Sequence, residues 1–375
     1  MIRRRWRLPA LLAAVALLVT ALFTTAATPT RATGAPAPFQ LPASLDLHDG
    51  TIANFGGTYY AYGTMYGCGY QWYVSNTVWC GFGVSTAPSL SGPWSTPTLL
   101  FPANSTDPWT GQTWQTECGS TGQGCFNPRM IQRSGWGAND GVYVLWFNSP
   151  LDWSTNHANA YNALGCNGPA GPCGPTAGAP HGSYTKPSLS YCTGNGDFGV
   201  IQSGTTGQAP ALICSQPGAA SLSMEQLNWW GVGGQSGAGA NNIAGLGTVE
   251  GPGGYYDTAS GRYVITYAEP DCGYCAGTAT GYATATALLG PYTAPGNVAA
   301  ANNQPMARAL ITANSCGGQP RTVAVVDGQA WQGIDLWTGS RNETTAGVLY
   351  TPLTFTNPSN AAGDGQPWQP FTFTC

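Results

Sequence analysis

Apolar residues in this chain come in short runs, mostly β-branched or aromatic, and turn-forming residues interrupt them at close intervals. The runs TYYAYGT at 58–64, GVYVLWF at 141–147, GRYVITYA at 261–268 and RTVAVV at 321–326 are bounded by Gly, Asn, Asp or Pro. That pattern predicts strands joined by tight turns. Helical signals are almost absent, and 53 glycines and 29 prolines break the chain repeatedly. An all-β fold of many short strands is expected: a sandwich, a barrel or a propeller.

Internal repetition separates these architectures. GVSTAPSLSGPWS at 83–95 aligns without a gap on GYATATALLGPYT at 281–293, and GSYTKPSL at 182–189 reads as a degenerate third copy. A larger pattern precedes both clear copies: a polar residue and a Gly open one strand, a Gly-containing turn follows, and an aromatic strand returns. Openings of this kind occur at Asp49-Gly50, Asn127-Pro128, Asp197-Phe198-Gly199, Glu250-Gly251-Pro252 and Gln319-Pro320. Five units starting near 49, 127, 197, 250 and 319 predict a five-bladed β-propeller. The opening residues would lie on the innermost strands and converge at one mouth of the central channel. Acidic residues are few, yet Asp49, Asp197 and Glu250 share this position. Asp is common in turns, which accounts for Asp197 better than for Glu250.

The N-terminus adds an export signal. Arg3, Arg4, Arg5 and Arg7 precede an apolar run from Leu8 to Phe23, and the small residues Thr25, Ala26 and Ala27 suit cleavage. Residues 1–27 are therefore expected to be a signal peptide. The run is short for a membrane anchor, which needs roughly 20 apolar residues. Residues 28–44 are small and proline-rich and read as a flexible leader, with the propeller over 45–375. The whole chain has a formal net charge of −4, and loss of the four leader arginines makes it more negative still. With a single lysine it offers no basic stripe for phosphates, so neither nucleic acid nor membrane is an expected partner after cleavage.

Twelve cysteines in an exported chain read as disulfides. The close pairs Cys68/Cys80, Cys118/Cys125, Cys166/Cys173 and Cys192/Cys214 flank loops, and Cys316 is placed to tie down Cys375. Cys272 and Cys275 form a Cys-x-x-Cys. A zinc site would want a second such pair or two nearby histidines. With only His48, His157 and His181 in the chain, a small structural disulfide is expected, and no metal or cofactor.

Few charges, many neutral hydroxyls and amides, and 14 tryptophans suit sugars. Glycoside hydrolysis needs two carboxyl groups, one to protonate the leaving oxygen and one to activate water or attack the anomeric carbon. A channel mouth carrying Asp on one blade and Glu on another supplies both. LHDGTIANFGGTYYAYGT, FNPRMIQ with VYVLWFN, VEGPGGYYDTASGRYVITYAE and the GYATATALLGPYT repeat together resemble glycoside hydrolase family 43, five-bladed propellers acting on arabinan, xylan and galactan. The resemblance spans about 45–355. It implies Asp49 as general base and Glu250 as general acid, in an inverting mechanism. It places Asn127 where the family usually has an Asp or Glu that raises the acid's pKa, so either Asp197 takes that part, or Asn127 works through hydrogen bonds alone, or activity is reduced, and Asn127 is the best argument for a propeller without catalysis. CGGQPRTVAVV and the following GIDLWTGSRNETTAGVLYTPLTF are similar to the exo-β-1,3-galactanase branch, in which a fifth-blade Gln replaces the base. Gln319 matches it, and His48 matches a first-blade His-Gly-Gly stretch.

His48, Trp72, Trp114, Trp153 and Trp230 are the candidate substrate contacts. Loop tryptophans also cap propeller sheets, so each has a purely structural alternative. A secreted monomer that binds polysaccharide or oligosaccharide is the expectation, either as a hydrolase or as a propeller that retains carbohydrate binding with weak or no catalysis.

Overall fold

The computed structural model describes residues 36–107, 109–135, 141–150, 159–174, 186–194, 196–216, 221–294, 310–355 and 371–375. The strands form five antiparallel sheets; four are built from strands that follow one another in the chain, and the fifth adds both ends of the described chain to three consecutive strands. Blade 1 comprises His48–Phe55, Thr58–Thr64, Phe82–Ala87 and Thr98–Leu99. Blade 2 comprises Phe126–Arg133, Val142–Asn148, Tyr161–Cys166 and Cys173–Gly174. Blade 3 comprises Phe198–Ile201, Ala211–Gln216, Ser221–Leu227 and Gly234–Ala240. Blade 4 comprises Glu250–Asp257, Arg262–Glu269, Ala279–Ala285 and Leu310–Thr312. Blade 5 comprises Gln319–Val326, Gln329–Leu336 and Gly347–Phe355. The first strands of the blades contact one another in turn and form the wall of the channel. The architecture is the predicted five-bladed β-propeller.

The apolar runs follow from this geometry. A blade is covered on both faces, so alternate side chains of one strand enter two different cores. Leu145 and Phe147 pack into the core shared with blade 1, while Val144 and Trp146 pack into the core shared with blade 3. Ile265 and Val264 divide in the same way between blades 3 and 5. Five such cores, one at each blade interface, hold the ring together.

Blade 5 closes the ring with both ends of the described chain. Phe39–Gln40 pairs antiparallel with Leu349 and Tyr350, and Phe371–Thr372 pairs with Thr354 and Phe355. The ordered fold thus starts before Leu45, and residues 36–44 are not a free leader. The reason is local: Phe39 lies 5.1 Å from Trp331 and 5.4 Å from Tyr350, and Leu41 is buried with Ile52 and Ala61 of blade 1. Residues 1–35 lie outside the described residues.

The two clear repeat copies occupy the third strands of blades 1 and 4, and both end in the same hydrogen bond. Ser95 N–H donates to the Thr86 carbonyl at 2.8 Å, and Thr293 N–H to the Thr284 carbonyl at 2.9 Å. Of the degenerate third copy, the segment 186–189 precedes blade 3, and the rest lies outside the described residues. All six cysteine pairs are joined as the spacing implied. No helix among the described residues is long and apolar enough to cross a membrane.

Leu41→Ala should lower stability by about 2–5 kcal/mol, the usual range for emptying a buried leucine site. Urea unfolding of the protein checks this. An unchanged midpoint would mean that the N-terminal strand does not close the ring.

Candidate active site

Four of the five first strands carry a register shift immediately after they begin, between His48 and Thr51, Phe126 and Arg129, Glu250 and Gly253, and Pro320 and Val323. These are bulges, which re-aim side chains at the start of a strand. Asp49, Asn127 and Gly251 adopt positive φ there, of 51°, 60° and 56°. The polar-residue-plus-Gly/Pro openings are the sequence of these bulges. A Cβ on Gly50 would lie 1.6 Å from the Tyr62 carbonyl oxygen, and one on Gly253 would lie 2.4 Å from the Val323 nitrogen, so neither position accepts a side chain. The registers also correct one alignment. Glu250 pairs across its hairpin as His48 and Phe126 do, one residue ahead of Asp49 and Asn127.

Asp49, Asp197, Glu250, Asn148 and Arg321 line one pocket at the mouth of the channel. Asp49 Oδ1 accepts from Thr64 Oγ1 at 2.8 Å and from the Asn127 N–H at 3.2 Å. Asn127 Nδ2 donates to Asp197 Oδ1 at 2.8 Å and to Asn148 Oδ1 at 3.1 Å. Arg321 pairs through Nη1 with Asp197 and through Nε with Asp335 at 3.1 Å. Asp335 Oδ1 in turn accepts the Asp49 N–H at 3.2 Å. Arg129 donates to the Asp49 carbonyl and, at 3.1 Å, to Asn127 Oδ1.

Glu250 is held from the other side. The Cys272 N–H donates to Glu250 Oε1 at 2.8 Å, and Gln319 Nε2 donates to the same oxygen. Gln319 is completely buried; Nε2 also donates to the Cys272 carbonyl at 2.7 Å, and Oε1 accepts from Trp337 Nε1 at 2.8 Å. Both ends of its amide are thus committed to protein partners. The Cys272–Cys275 bridge closes the loop that presents Cys272 to Glu250.

Four carboxyl groups (Asp49, Asp197, Glu250, Asp335) thus surround two buried arginines, Arg129 and Arg321. Charge balances when two of the four hold a proton. Burial, then repulsion from Asp335, pushes Asp49 up to about 7 despite both arginines and the Thr64 hydrogen bond. Burial, then repulsion from Asp197, pushes Glu250 up to about 8, against the opposing pull of Arg321. Burial would lower the Arg321 pKa, but Asp197 and Asp335 outweigh it and hold the guanidinium charged.

The predicted site residues divide accordingly. Asp49, Asn127 and Asp197 form one hydrogen-bonded network and Glu250 and Gln319 a second; Asp49, Asp197 and Glu250 meet at the pocket, whereas Asn127 and Gln319 are covered. Trp72 lines the pocket beside Tyr73 and Tyr274, with ring centroids 4.4 and 4.6 Å away. His48 is buried and bonded to Asp46 at 3.2 Å, so it does not face the pocket. Trp114 is no sugar contact either: it sits in the short helix Trp114–Gly119, capped by Thr113, and packs into the core between blades 1 and 2. Trp230 lies by Arg133, at the far end of the blade-2 strand that Asn127 opens, which places it at the opposite end of the blade. Trp153 lies outside the described residues. Arg129, Arg321, Asp335 and Trp337 escaped the sequence reading. One signal for the arginines was present: Asn-Pro-Arg and Gln-Pro-Arg place them two residues after an opening in a chain with few cations.

No family model and no curated protein matches this sequence. Solved structures do match. An exo-β-1,3-galactanase from Phanerochaete chrysosporium superposes with a TM-score of 0.59 at 17% identity, over 86% of this chain and 65% of that one. A family 43 β-1,3-galactosidase with galactodeoxynojirimycin gives 0.58 at 15% identity, over 84% and 92%. An exo-1,5-α-L-arabinanase from a bovine ruminal metagenomic library gives 0.51 at 16%, over 90% and 100%. The chain has the fold of family 43 glycoside hydrolases. It spans just under two thirds of the Phanerochaete enzyme, and the identities establish shared architecture alone.

The two raised carboxyls have a consequence for stability. Above the ordinary values of 3.8 and 4.5 the unfolded chain loses these protons, while the folded protein keeps them to about 7 and about 8. The folded state then binds more protons, so stability falls as pH rises across this window, by roughly 1.4 kcal/mol per pH unit per group. The Asp49→Asn, Glu250→Gln double variant should flatten that slope in melting curves taken from pH 5 to pH 8. A slope equal to the wild type's would place the protons elsewhere.

Proposed function

We propose that the protein is a secreted glycoside hydrolase that cleaves neutral plant-type polysaccharides of the arabinan, xylan or galactan class with inversion. The observation that carries this reading is the pair of buried, proton-holding carboxyls that face one pocket from blades 1 and 4. Glu250, protonated near neutral pH, donates its proton to the leaving glycosidic oxygen as the bond to the anomeric carbon breaks. Asp49, once it has lost its own proton near pH 7, takes a proton from a water that attacks that carbon from the opposite face.

Asn127 no longer argues for an inactive site. The negative charge it lacks stands on Asp197, which Asn127 Nδ2 anchors at 2.8 Å and which raises the Glu250 pKa. Asn127 is a positioning residue in this reading. A base role for Gln319 is less favoured, because its amide is spent on Glu250, Cys272 and Trp337. Gln319 instead fixes the direction of the acid. Trp72, Tyr73 and Tyr274 offer aromatic faces for sugar rings beside the reacting bond. Tyr73 is 62% exposed and held at a φ of 54°, with its N–H bound to the Gly122 carbonyl at 2.8 Å.

Glu250→Gln should reduce kcat/KM on polysaccharide by roughly 10²–10⁴-fold, the usual contribution of general acid catalysis. It should largely spare aryl glycosides with activated leaving groups, which need little protonation. Asp49→Asn should impair both substrate classes. Comparable loss on both classes from Glu250→Gln, or full activity in Asp49→Asn, would remove the assignment. The wild-type kcat/KM should rise with loss of the Asp49 proton near pH 7 and fall with loss of the Glu250 proton near pH 8.

A further inference from the structure

The end of blade 3 opposite the pocket carries a second concavity. The first strand of the blade starts beside Asp197 and ends at Ile201, so the turn at 202–210 lies at the far end of the sheet. The third strand ends at Leu227, and the turn at 228–233 meets the first one there. Trp229 stands between them with Thr205, Gln208, Gln226 and Gln235, and no charged residue lines the concavity. Trp229 is 51% exposed, whereas Trp79, Trp114 and Trp146 are buried.

The turn that presents this indole is firmly built. Asn228 Oδ1 accepts the N–H groups of Trp230 at 3.1 Å and Val232 at 3.3 Å. Trp146 Nε1 donates to the Gly231 carbonyl at 2.8 Å, and Arg133 Nη1 to the Trp229 carbonyl at 3.4 Å. These bonds fix the backbone, and none of them uses the Trp229 ring. The neighbouring amides are complementary. Gln208 accepts from Ser203 Oγ at 2.6 Å and keeps its N–H donors unused among the described residues. Gln226 donates to the Ala209 carbonyl at 3.1 Å and keeps its oxygen as an acceptor.

We propose that this concavity is a second carbohydrate-binding site, which takes a segment of neutral polysaccharide away from the pocket at the channel mouth. The fixed indole covers the apolar C–H face of a sugar ring, and the flanking amides and hydroxyls meet its hydroxyl groups. An anionic chain would find no lining cation to pair with. The site does not depend on the hydrolase reading, since binding here requires no chemistry.

Native electrophoresis through gels containing arabinan, xylan or arabinogalactan tests it, with full-length Glu250→Gln protein and the same protein carrying Trp229→Ala. The parent should be retarded by at least one polymer, and Trp229→Ala should weaken that affinity by about tenfold or more. Trp229→Tyr should keep most of it, and Trp229→Ala alone should leave aryl-glycoside kcat/KM unchanged. Equal retardation with and without Trp229, or no retardation by any polymer, would overturn the proposal. So would a Trp229-dependent shift in sedimentation from dimer to monomer, which would make this a self-association face. Residual hydrolysis by Glu250→Gln bears only on the channel-mouth site.

Discussion

Arg321 is the contact around which the channel mouth is organised. It stands on the first strand of blade 5 and joins Asp197 of blade 3 to Asp335 on the neighbouring strand of its own blade, with its guanidinium 5.2 Å from the Trp337 ring centroid. A buried cation is tolerable only with carboxylates close by. Burial first, and then the negative charge of Asp335 on Asp49 and of Asp197 on Glu250, makes these two carboxyls hold protons against the pull of Arg321. The chemistry proposed here therefore follows from how the ring is buried and neutralised. The bulges supply the geometry, because each turns an opening residue off the sheet and toward the axis. The Cys272–Cys275 loop and Gln319 then hold Glu250 Oε1 as an acceptor, which leaves the other carboxyl oxygen to carry the proton.

Much of this organisation is written in short motifs. A bulge needs a residue that accepts positive φ, and Asp49, Asn127 and Gly251 supply it; Gly50 after Asp49 also leaves room for the Tyr62 carbonyl. Aromatic return strands such as VYVLWF are apolar throughout because both faces meet another blade. The outer strands left no such trace: Thr98–Leu99 and Cys173–Gly174 are two residues long, and GQSGAGA at the edge of blade 3 has no apolar face to bury. The one-residue offset of Glu250 was hidden because Gly50 and Gly251 look alike in sequence, whereas Gly251 takes the positive φ that Asp49 takes in blade 1 and Gly50 makes room for the Tyr62 carbonyl. The tryptophans misled for a different reason. Polar neighbours in WTGQTWQTECGSTGQGC look like an exposed loop, but Thr113 caps a helical turn there. The Cys118–Cys125 bridge folds the segment back, and Trp114 turns inward.

The pocket and the proposed surface site use the same uncharged vocabulary of indole rings, amides and hydroxyls, at opposite ends of the molecule. Of the two, the channel mouth alone adds ionisable groups, which is why the reaction is proposed there and binding alone at blade 3. Division of labour between Asp49 and Glu250 has a stereochemical signature, since water activated on the face opposite the leaving group must invert the anomeric carbon. Proton NMR of the first product formed from a defined oligosaccharide, recorded before mutarotation, reads this directly. The account predicts that the product's anomeric configuration is opposite to that of the bond cleaved. A first product with the substrate's configuration would contradict it, because one of the two carboxyls would then have to act as a nucleophile.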